Sequence, residues 1–135
     1  MCGIVGIAGE KNVIPNIIKS LEKLEYRGYD SSGIATISDE DFLEKKSVGK
    51  LSKLKKILSK EIIEGNLCIG HTRWATHGIV NEANAHPQIS NEVAVVHNGI
   101  IENHKALRKE LEEKGHVFAS DTDSEVISQL CSYFL

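Results

Sequence analysis

The chain has 135 residues, 41% hydrophobic and 26% charged, which is enough apolar material for one domain with a packed core. Its 16 basic and 19 acidic residues leave a net charge of -3, with none of the basic stripes that mark a nucleic-acid surface. No apolar run is long enough to span a bilayer, the N-terminus lacks the basic and apolar regions of a signal peptide, and Cys2, Cys68 and Cys131 are too few and too scattered for a disulfide framework, all of which fits a reducing cytoplasm.

GIVGIA, residues 3–8, is short and partly β-branched, and predicts a buried strand. Asn12 can cap a helix running to about Glu25, with Pro15 in its first turn and Ile14, Ile17, Ile18, Leu21 and Leu24 on one face. YRGYDSSG breaks that helix. Gly33–Ser38 and Phe42–Val48 read as a strand pair around the acidic turn SDED, and Leu51–Glu61 as a helix whose lysines form its wet face. Asn66–Trp74 predicts a strand ending in a loop, and THGIVNEANAHPQISN reads as loop throughout. Val93–His97 predicts a strand closed by Asn98-Gly99, Asn103–Lys114 an amphipathic helix, and Val117–Ala119 a short strand. Asp123 and Ser124 can start a last helix with Val126, Ile127 and Leu130 facing inward. Strands interleaved with helices in this mixed order argue for an α+β layered sheet. QLCSYFL stops inside what reads as a helix, so a fragment of a longer domain is expected.

Four segments can carry chemistry. Removal of Met1 would make Cys2 the N-terminal residue, with an α-amine of pKa about 7.7–8.0 beside a thiol of about 8.5. Nucleophile and base would then share one residue, although a lone cysteine can equally be a small buried hydrophobe. GHTRWATHG, residues 70–78, sets Ile69, His71 and Arg73 on one face of an extended strand; Arg73 could grip a carboxylate through two hydrogen bonds, or form a plain surface ion pair. Asn98 and Gly99 could be a simple turn, or a side-chain amide and a backbone N–H aimed at one oxyanion. Asp121 and Asp123 could cap a helix or hold an ammonium group. The six histidines have no metal-binding spacing, so no metal site is expected.

Taken together these segments offer a nucleophile, a carboxylate clamp, an oxyanion hole and an ammonium acceptor, a set suited to an amino acid whose side-chain carbonyl is attacked. MCGIVG, LEYRGYDSSGIA, GHTRWATHG, NAHP, HNGIIENH and SDTDSEVI, from Met1 to about Ile127, resemble the N-terminal glutaminase domain of the glutamine–fructose-6-phosphate aminotransferase family. These are class II glutamine amidotransferases of the N-terminal nucleophile hydrolase superfamily. The glutaminase domains of amidophosphoribosyltransferase and asparagine synthetase are the near competitors, but LEYRGYDSSG and RWATHG resemble the sugar-phosphate enzymes more.

The resemblance implies a four-layer αββα sandwich, here as a partial domain over residues 1–135 with the isomerase domains absent. It implies hydrolysis of L-glutamine to glutamate and ammonia through a Cys2 thioester, with Asn98 and Gly99 as the oxyanion hole. Arg73 would hold the α-carboxylate and Asp123 the α-ammonium. Trp74, Thr76 and His77 would lie in the loop that closes over glutamine, Trp74 also being associated with gating ammonia, and the Arg27-Gly28 turn would support the N-terminus. No cofactor is implied. Fructose-6-phosphate would be met only through the absent isomerase domains, and the full-length enzyme would be a homo-oligomer. Two other readings remain open: a glutamine-binding module without turnover, and an N-terminal nucleophile hydrolase acting on a different amide.

Overall fold

The computed structural model describes residues 1–76 and 78–135. Its strands and helices are β1 (Gly3–Ala8), α1 (Ile14–Leu24), β2 (Ser31–Ser38), β3 (Asp41–Val48), α2 (Leu51–Lys60), β4 (Leu67–Arg73), β5 (Gln88–Ser90), β6 (Val93–Val95), α3 (His104–Glu113) and α4 (Glu125–Phe134). A four-stranded antiparallel sheet runs β1-β4-β2-β3, and β5 and β6 pair in a separate antiparallel ribbon. Helices α1 and α2 pack on the first sheet and α4 on the ribbon, with α3 against α4. This is an α+β, four-layer αββα arrangement, as the resemblance implies.

The apolar core lies on the helix side of the first sheet. Ile14, Ile17 and Leu21 of α1 meet Leu51 and Leu54 of α2 over Ile34 of β2 and Cys68 of β4. Gly70 lets α1 close onto β4, because a Cβ there would touch Leu21, Ile17 and Ile34. Asn12 starts α1 by accepting from the Ile14 N–H at 3.2 Å. The same side-chain oxygen accepts from Gly65 N–H at 3.2 Å, so one side chain fixes both a helix start and the approach to β4.

Between the two sheets the packing is polar. Gly33 and Ser31 of β2 lie opposite His71 and Arg73 of β4 in register, so all four face the second sheet. His71 stacks on His86, with ring centroids 4.1 Å apart and planes 13° from parallel. Gly33 makes room for this, since a Cβ at that position would overlap the His86 carbonyl.

Three expectations need correction. Val117–Ala119 is not a strand, because its backbone bonds to side chains of α4 instead: Gln129 Nε2 donates to Val117 O at 2.9 Å and Glu125 Oε1 accepts from Ala119 N–H at 2.8 Å. The loop expected over residues 76–91 contains β5, three residues that pair with β6. The strand expected to reach His97 ends at Val95, and the His97 carbonyl faces the His71 ring at 3.2 Å.

Candidate active site

Cys2 lies just before β1, at the edge where β4 ends. Trp74 N–H donates to the Cys2 sulfur at 3.1 Å, and the thiol is 3.4 Å from Trp74 O. The Cys2 carbonyl accepts from Arg27 Nε and from Asn98 Nδ2, each at 3.2 Å. Gly28 permits this assembly: a Cβ there would meet the Arg73 carbonyl group and the Trp74 nitrogen at 2.5–2.7 Å. The next residue but one, Asp30, accepts from Ala75 N–H at 2.9 Å and so fixes the chain beyond Trp74. The YRGYD segment thus builds the floor under both Cys2 and the Arg73–Ala75 turn.

Arg73 is 3% exposed and donates to the carbonyls of Ile79 at 3.1 Å and Gly78 at 3.3 Å. Burial lowers its pKa, while the charges of Cys2, Asp30 and Asp123 act the other way. Asp123 is equally buried and stands just ahead of α4, where it accepts from Ile101 N–H at 2.7 Å. That bond joins the α4 start to the turn after Asn98-Gly99. Behind the site, burial pushes the pKa of His71 down to about 4 and that of His86 down to about 2, so both rings are neutral. The other cysteines are chemically distinct from Cys2. Cys68 is a core residue whose thiol burial pushes up to about 12, and Cys131 is exposed on α4.

Cys2, Arg73, Trp74, Thr76, Asn98, Gly99 and Asp123 line one cavity of about 420 Å³, which has the size of a small-molecule site. His77 lies outside the described residues. His86, His97 and Ser124 also line it, and the sequence patterns assign none of them a role there. His97 stands next to Asn98, and its polar neighbourhood appears only once α4 is folded against it. Among the described residues no group of three or more His, Cys, Asp or Glu side chains could hold a metal ion. No described helix is long and apolar enough to cross a membrane.

Residues 58–133, more than half of the chain, match the glutamine amidotransferase domain family. The chain belongs to that family. This glutamine amidotransferase domain is 54% identical over 130 residues to the glutamine–fructose-6-phosphate aminotransferase of Mesorhizobium japonicum, covering 96% of this chain and 21% of that protein. It is 53% identical over 137 residues to the enzyme of the same description from Pseudomonas syringae pv. tomato, covering 100% of this chain and 22% of that one. The domain therefore spans about a fifth of the length of the curated relatives it matches. Among solved structures, it superposes on the glutamine phosphoribosylpyrophosphate amidotransferase of B. subtilis with a TM-score of 0.79 and 28% identity, over 98% of this chain and 29% of that one. A second structure, described as the allosteric regulatory enzyme of purine biosynthesis, gives a TM-score of 0.80 at 28% identity, over the same shares of the two chains.

Proposed function

We propose that this domain hydrolyses L-glutamine to glutamate and ammonia, with Cys2 as the nucleophile. Loss of Met1 turns the Cys2 backbone amide into a free amine, which takes the thiol proton directly or through one water. The sulfur attacks the side-chain carbonyl carbon of glutamine. The oxyanion that develops accepts from Gly99 N–H and from an Asn98 Nδ2 proton, since that amide carries two donors and spends one on the Cys2 carbonyl. The amine returns its proton to the leaving nitrogen, ammonia departs and a thioester remains. Water, deprotonated by the same amine, then releases glutamate. Arg73 holds the α-carboxylate and Asp123 the α-ammonium, while Trp74, Thr76 and His77 cover the substrate.

In the longer protein, the ammonia aminates fructose-6-phosphate to glucosamine-6-phosphate on isomerase domains outside this chain, in a cytoplasmic homo-oligomer. Identity of 54% to glutamine–fructose-6-phosphate aminotransferase, against 28% to the phosphoribosylpyrophosphate enzyme, favours this acceptor.

One observation carries the reading: residues from four separate segments of sequence, Cys2, Arg73, Asn98-Gly99 and Asp123, meet around a single cavity. The test is an intact mass spectrum before and after incubation with a diazo-ketone glutamine analogue. The expected result is a mass lacking Met1 and one adduct that Cys2→Ala abolishes. Protein that has lost Met1 but gains no adduct would argue against a glutamine site.

A further inference from the structure

We propose that His97 is a positioning residue that holds the Gly99 peptide in the orientation an oxyanion needs; this rests on the glutaminase reading above. The His97 ring has two engagements. Its Nδ1 shares a hydrogen bond with Ser124 Oγ at 2.9 Å, and Ser124 is the residue between Asp123 and α4. Its Nε2 edge stands over Gly99, so close that a Cβ there would lie 2.7 Å from Nε2. The His97 backbone is held separately, its carbonyl facing His71 Nε2 at 3.2 Å. One imidazole is thus braced by the α4 start on one side and pressed against the oxyanion-hole glycine on the other.

Glycine rotates about its backbone more freely than any other residue. Gly99 is also exposed and bears no side chain to anchor it, so its N–H keeps a fixed direction only if a neighbour restrains it. The His97 ring is in place to do so. The ends of glutamine are gripped elsewhere, by Arg73 and Asp123, so loss of the ring should impair the transition state more than binding. A donor that wanders is partly lost, and outright loss of one oxyanion donor costs about 10²–10³ in kcat.

The experiment measures glutamine hydrolysis by the full chain carrying His97→Leu, Ser124→Ala or both, with circular dichroism to check folding. His97→Leu should lower kcat about 10- to 100-fold and change KM by less than about threefold. The rate at which iodoacetamide alkylates Cys2, which involves no oxyanion, should stay within about twofold of the wild type. Ser124→Ala should lower kcat less, and the double variant should match His97→Leu alone, because the bond to Ser124 is already gone.

A kcat for His97→Leu within about threefold of wild type, a loss confined to KM, or additive losses would each overturn the assignment. If His97→Leu does not fold, Ser124→Ala decides: a fall in kcat of more than about threefold at constant KM supports it, and an unchanged kcat overturns it. A wild-type chain lacking Met1 that releases no ammonia would instead overturn the glutaminase reading itself, and this inference with it.

Discussion

Acidification to pH 4.5 attacks this domain at the His71–His86 stack before it neutralises most carboxylates. Both rings are buried between the sheets, and neither Nδ1 has a hydrogen-bond partner among the described residues. For His71, burial is the main cause of the low pKa, with Arg73 and His97 adding to it and the bond to His97 opposing it. For His86, burial leads, followed by the charges of His71, Arg73, Lys46 and His97. The ordinary value is 6.5, against about 4 and about 2 in the folded chain. Below pH 6.5 the unfolded chain therefore binds two protons that the folded chain refuses, and stability falls as the pH falls. Each ring contributes about 1.4 kcal/mol per pH unit, His71 until the pH nears 4 and His86 until it nears 2. From pH 6.5 to 4.5 the two together remove roughly 5 kcal/mol, the lower end of the 5–15 kcal/mol that stabilises a typical domain.

Urea titrations followed by circular dichroism, at half-unit steps from pH 7 to 4.5, measure this slope. Replacing His86 by Phe keeps a flat ring against His71 but cannot take a proton, and should roughly halve the slope. An equal slope in wild type and His86→Phe would refute the argument. So would a His86 ring resonance in the folded protein that titrates near 6.5.

Two further substitutions test the packing. Gly33→Ala should cost about 1–3 kcal/mol in thermal unfolding, because the new methyl group overlaps the His86 carbonyl; an unchanged midpoint would mean that the His86 segment can give way. Glu125→Gln should cost a similar 1–3 kcal/mol in urea unfolding, because its buried carboxylate accepts from Ala119 N–H and Gln129 Nε2 at Oε1 and from Ser120 N–H and Ser120 Oγ at Oε2, and an amide nitrogen in either position would face two of these donors. Loss should be visible first as faster hydrogen exchange over residues 117–120.

The first half of the fold is legible in the sequence because its signals are local. The period of Ile14, Ile17 and Leu21 marks a helix face, and the short runs with β-branched residues at β1 and β2 mark strands, with no partner needed to read them. The second half is less legible because its order comes from side chains far apart in sequence. β5 is three residues of mixed character that become a strand only through β6. Val117–Ala119 has strand-like residues, yet its backbone groups are claimed by Gln129 and Glu125. The site divides in the same way. Cys2, Arg73, Asn98, Gly99 and Asp123 stand out as residue types suited to chemistry, and the cavity gathers them. His97, Ser124 and Asp30 bear no such mark, because their importance lies in contacts across 27 and 45 residues of chain.

The placement of the oily core on one side of the first sheet has a mechanical consequence. The α1/α2 half is held by apolar contact, which has no preferred direction and survives small shifts. The half with the ribbon and α4 is attached across a seam of imidazoles, hydroxyls and amides, whose bonds hold only at one alignment. The cavity straddles this seam, with Cys2 and Arg73 on the side of the first sheet and Asp123 on the side that follows α4. A molecule gripped at both ends there acts as a rivet between two plates, holding the seam at the one alignment its polar bonds accept.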